Sequence, residues 1–110
     1  MCWCCCTSFE SHHTNHPLTD IDQAAGDQPN DTANSCARHD FIAARAGSIR
    51  TQADVEALLA DQSVPISIAH EPGRIFTFGA TSMALTSPPQ LRIAPGPPHS
   101  KPFVNLSFEL

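Results

Sequence analysis

Six of the chain's ten prolines fall in "SPPQLRIAPGPPHSKP", residues 87–102. Proline removes a backbone donor and clashes with the preceding helical turn, so no helix can run through this stretch. Proline-rich segments of this kind favour extended, solvated backbone. The expectation is that residues 84–110 form an extended, largely unfolded tail, and that any fold is built upstream of them.

The other end of the chain is limited by charge. Residues 1–36 carry Glu10, Asp20, Asp22, Asp27 and Asp31 and neither Lys nor Arg. Their large apolar residues are few: Trp3, Phe9, Leu18 and Ile21. Such a segment buries too little apolar surface to offset the entropy of ordering it, and disorder is expected. The foldable part is then residues 37–83. A core of that size is marginal alone and calls for a metal, a disulfide or a partner chain.

The net charge of −5 arises almost entirely in residues 1–36. From 37 to 83, Arg38, Arg45, Arg50 and Arg74 face Asp40, Asp54, Glu56, Asp61 and Glu71, a balance of 4 − 5 = −1. The strongly basic footprint usual in a nucleic-acid binder is absent. No apolar run approaches a membrane span. No basic segment followed by an apolar stretch suggests a secretory leader, so an intracellular chain with reduced cysteines is expected.

"MCWCCC" followed by "SHHTNH" crowds thiols and imidazoles together. Cys2 and Cys5 form a Cys-x-x-Cys pair, and His12 and His16 a His-x3-His pair. Only six residues separate Cys5 from His12, whereas a two-Cys two-His finger uses about twelve there. No metal or other cofactor is therefore expected. Lipidation lacks basic or amphipathic neighbours, and a flexible, oxidation-prone terminus is the expectation. Cys36 stands apart and reads as a small, partly buried side chain.

"TQADVEALLAD", residues 51–61, predicts a helix, with Val55, Leu58, Leu59 and Gln62 at i, i+3, i+4 and i+7. Thr51 and Asp54 resemble a capping box. Upstream, Ile42, Arg45, Ala46 and Ile49 share helical spacing across Gly47-Ser48. One helix over about 40–60, or two broken at Gly47, fits equally. "VPISIAH", residues 64–70, alternates Val64, Ile66 and Ile68 against Pro65, Ser67 and Ala69, the pattern of a half-buried strand. "EPGR" has the signature of a type II turn, with Pro72 second and Gly73 third. "IFTFG" follows as a second strand, with Phe76 and Phe78 on one face. The expected fold class is α+β, a helical region followed by an antiparallel β-hairpin over 64–79.

"ARHDFIAARAGSIRTQADVEALLADQSVPISIAHEPGRIFTFGATSM", residues 37–83, resembles the MADS-box family of DNA-binding domains, in particular the plant type I members. Arg38 and Arg45 fall on arginine positions of the family's "SKRRxGLFKKA" stretch. Ile49, Ala53 and Leu59 fall on apolar and alanine positions of its helix. Val64, Ile66 and Ile68 match the first strand, Gly73-Arg74 the "SPxGK" turn, and Phe76, Phe78, Gly79 and Ser82 the "FSFGxPS" end. Where the family has Lys or Arg, this chain has Ala44, Ala46, Thr51 and Gln52, and Ser48 stands for the family's glycine.

The resemblance implies a nuclear, transcription-related dimer. It would pair with a second copy or with a MADS-type protein through Leu59, Val64, Ile66, Ile68, Phe76 and Phe78. It would contact A/T-rich double-stranded DNA through Arg38 and Arg45. Loss of four cations would weaken that contact, because each phosphate neutralised adds about 0.9 to the salt slope.

Two other classes stand beside this one. A small non-catalytic interaction protein, or a degenerate fragment, explains the same residues without DNA. "PISIAHEPGRIFTF" is similar also to a strand of papain-like cysteine proteases, but the segment carrying the catalytic base is missing and "CWCCC" is not the nucleophile motif. An enzyme is not expected. No phosphate loop occurs. His39 and His70 read as isolated surface residues, and Asp54 and Glu56 as a solvated helix face.

Overall fold

The structure, a computed structural model, describes residue 12, residue 14 and residues 29–107. The cysteine cluster, His16 and most of the acidic segment lie outside the described residues. The chain divides into two compact units, residues 1–47 and 48–110.

The first unit contains helix α1, Pro29–Ala46. Its first eight residues, 29–36, lie inside the segment expected to be disordered. Proline suits a helix's first turn, where its missing N–H has no intrahelical partner to lose. The buried residue among its large apolar side chains is Phe41. The hydroxyls of Thr14 and Ser35 meet at 3.0 Å, both buried, and Thr14 also donates to the Ser35 carbonyl at 2.9 Å. Cys36 is free and half-buried. The helix stops before Gly47-Ser48, so the helical region is two helices and not one.

The second unit opens with helix α2, Gln52–Leu59, and continues into a three-stranded antiparallel sheet of order β1-β2-β3. Its strands are β1 (Ala80–Ala84), β2 (Gln90–Ala94) and β3 (Val104–Leu106). The capping box is present. Thr51 Oγ1 accepts from the Asp54 N–H at 3.2 Å, and the Asp54 carboxylate accepts from the Thr51 N–H at 2.9 Å. The chain is thus α+β, with its helices preceding an antiparallel sheet.

The strands, however, are not at 64–79. Residues 62–66 form turns, and 75–79 are irregular. The "EPGR" turn itself forms: the Arg74 N–H donates to the Glu71 carbonyl at 3.1 Å, and Gly73 has φ +74°. Its arms meet at one point. The Thr77 N–H donates to the Ile68 carbonyl at 3.1 Å, but the Ile68 N–H donates to the Thr77 hydroxyl at 2.9 Å. That hydroxyl donates in turn to the Ile66 carbonyl at 2.9 Å. A side chain has taken the place a ladder bond would hold, which is how threonine competes with regular structure. Pro65 brings no N–H to the first arm.

The tail expected to be unfolded carries β2 and β3. Its prolines fall between the strands: Pro88 and Pro89 between β1 and β2, and Pro95, Pro97, Pro98 and Pro102 between β2 and β3. Proline cannot donate to a ladder, but at strand ends it has none to donate to. "QLRIA" is the proline-free run between those groups, and all of it is strand.

Candidate interaction surface

The register decides which side chains share a face of the sheet, because directly opposed residues point the same way. Thr81 pairs with Ile93 and Met83 with Leu91, and on the other side Ile93 pairs with Val104 and Leu91 with Leu106. These form one apolar face. The opposite face carries Ser82, Arg92, Ala94 and Asn105.

The helix α2 sits over the second face, not the first. Glu56 and Arg92 form an ion pair at 2.7 Å, with Glu56 11% and Arg92 32% exposed. Ser82 donates to the other Glu56 oxygen at 2.6 Å and accepts from Gln52 at 3.0 Å. Arg92 also donates to the Phe103 carbonyl at 3.2 Å, which ties the sheet to the segment entering β3. The Arg92 Nε is buried without a hydrogen-bond partner among the described residues. Glu56 therefore belongs to an inner network, a correction to its reading as part of a solvated helix face. Asp54, two residues away, is exposed as expected.

A second polar contact closes the unit from the side. Ser67 Oγ lies 2.7 Å from His99 Nδ1 and accepts from the His99 N–H at 3.3 Å. A hydroxyl against an imidazole is the start of a nucleophilic pair, and here Ser67 is buried at 3% exposed. Its effect is to fasten the turn at 97–101 to the loop at 61–67.

The apolar face is bare. Met83, Val104 and Leu106 are exposed, as is Leu85 at the next position of the β1 alternation, while Leu91 and Ile93 are half-buried. Ile75, Phe76 and Phe78 are exposed on the segment before β1. The buried apolar side chains among the described residues are Phe41, Ala94, Pro97 and Pro98. Single exposed apolar residues are ordinary, but contiguous apolar patches are uncommon on monomeric proteins.

The residues expected to pair chains are divided by this arrangement. Leu59, Val64, Ile66 and Ile68 are half-buried within their own unit, whereas Phe76 and Phe78 are exposed. His70 is not isolated: its ring meets Phe76 edge-on at 4.5 Å. Nor is His39, whose ring lies 4.9 Å from that of His12. On α1, Arg38 Nε donates to the Asn34 carbonyl at 3.3 Å. Arg45 lies 3.5 Å over the Phe41 ring and donates to the Phe41 carbonyl at 3.2 Å. Both arginines are folded along their own helix. Sequence reasoning gave no site role to Arg92, Ser82, Ser67 and His99, whose side-chain partners lie 26 to 36 residues away in the chain.

Among the described residues no three His, Cys, Asp or Glu side chains are grouped to hold a metal ion, and no helix is long and apolar enough to cross a membrane. No family model matches the chain, and comparisons with curated proteins and with solved structures find no match.

Proposed function

We propose that this chain is a small, non-catalytic interaction protein that works by pairing with another polypeptide. The observation that carries the reading is the placement of side chains about the sheet: polar groups between α2 and the sheet, and large apolar groups on the sheet's other face. A domain is ordinarily two layers around one apolar core, and here the described residues of the sheet's own unit supply no second layer on the apolar side. The test is sedimentation equilibrium of the full chain from low micromolar to about millimolar, together with binding of an apolar dye. Self-association, or dye binding that a partner suppresses, is expected. A chain that stays monomeric and binds no dye overturns the reading.

A second reading, contact with A/T-rich duplex DNA in the nucleus, is favoured by one feature. Arg38 and Arg45 stand seven residues apart on α1, two turns along one side of the helix. Each guanidinium already commits one of its five donors to a carbonyl of its own helix. Binding is expected to be weak, and Arg45→Ala should lower its salt slope by about one unit. A slope unchanged by that substitution removes Arg45 from any DNA contact.

A further inference from the structure

We propose that the open face of the sheet is where two copies of this chain meet, stacked sheet on sheet with α2 on the outside of each. This rests on the reading of the chain as an interaction protein and names its partner as itself.

The argument starts from layers. The helix α2 already covers the polar face and is held there by Glu56, Arg92, Ser82 and Gln52. The remaining layer must come against the face of Met83, Leu91, Ile93, Val104 and Leu106. Stacked sheets sit about 10 Å apart and interdigitate side chains of this kind. That face carries no charge. A face without charge has nothing to select an oppositely charged partner and nothing to repel its own copy, and a two-fold contact requires the same patch on both sides. Two ion pairs of the unit lie off this face, Glu56 with Arg92 beneath the sheet and Glu71 with Arg74 at 2.9 Å in the turn.

Area sets the strength. Met83 is 62%, Leu85 86%, Val104 48% and Leu106 42% exposed. With the half-buried Leu91 and Ile93 they present on the order of 500 Å² per copy, so complete pairing buries about 1,000 Å² in all, below the range for stable interfaces and within that for transient ones. A reversible dimer is expected, formed and lost across the micromolar range.

The test is sedimentation equilibrium on the full chain as wild type, Met83→Glu and Phe78→Ser. The proposal expects a wild-type dimer, association weakened at least tenfold by Met83→Glu with circular dichroism unchanged, and little effect of Phe78→Ser. A second measurement needs no variant: peroxide oxidation of Met83 in the wild type should slow several-fold as concentration passes through the dimer range. A dimer that Phe78→Ser breaks, with Met83 oxidised equally fast at all concentrations, overturns the sheet-face contact and leaves an interaction protein pairing elsewhere. A wild-type monomer that binds apolar dye overturns pairing with itself and leaves a different partner. A monomer that binds no dye overturns both.

Discussion

The two faces of the sheet differ in what holds them. Beneath it, four side chains from α2 and two strands are joined by an ion pair and hydrogen bonds, with Glu56 almost fully buried. Above it, Met83, Val104 and Leu106 are partly exposed apolar side chains with no polar group to bond. The comparison separates two tasks that most small domains combine. Directional bonds fix where the helix lies, since a carboxylate and a guanidinium accept few geometries. Apolar area, which is non-directional, lies on the other face. A buried ion pair is modest in net stability but costly to break from one side.

The largest expected effect follows from that asymmetry. Glu56→Leu leaves Arg92 without its countercharge, and Ser82 without its acceptor. Destabilisation of roughly 2–4 kcal/mol is expected, below the upper figure for fully buried pairs because Arg92 is partly solvated. The double variant Glu56→Leu with Arg92→Leu should recover much of that loss, since no charge is then stranded. Urea unfolding of the four chains of this cycle measures the coupling. Additive losses would mean the pair does not hold the helix to the sheet, and the contrast between the faces would fail.

What could be read from the sequence was what is local. The Thr51–Asp54 box and the Glu71–Arg74 turn each close within four residues, so residue type and spacing suffice to place them. The strands did not yield to the same reading. "VPISIAH" alternates as a strand should, yet Thr77's hydroxyl occupies the bond a ladder needs. "QLRIA" is hidden between prolines that mark its ends, and were read as a sign of disorder. The polar network was illegible because Glu56 and Arg92 are 36 residues apart and each alone resembles a surface charge. The pattern of one strand says which residues share a face, but not which face the helix will cover.

The smallest effect sharpens the polar side at its exposed end. Asp54 sits in the first turn of α2, and its carboxylate accepts from the Arg50 N–H at 2.8 Å and the Thr51 N–H at 2.9 Å. These backbone bonds, Arg50's first, hold its pKa below the ordinary carboxylate value. A carboxyl whose pKa is lowered by folding binds its proton more readily in the unfolded chain. Its contribution is therefore complete above the ordinary carboxylate range and is lost as pH falls through the lowered folded value. Asp54→Asn should flatten the acid limb of the stability curve while leaving the Glu56–Arg92 contact in place. Thr51→Ala should cost about 1 kcal/mol by removing the other half of the box. Carboxyl-carbon titration of Asp54 by NMR reads the first effect directly. A midpoint at or above the ordinary value would mean the box is open in solution, and that α2 is held by its face on the sheet alone.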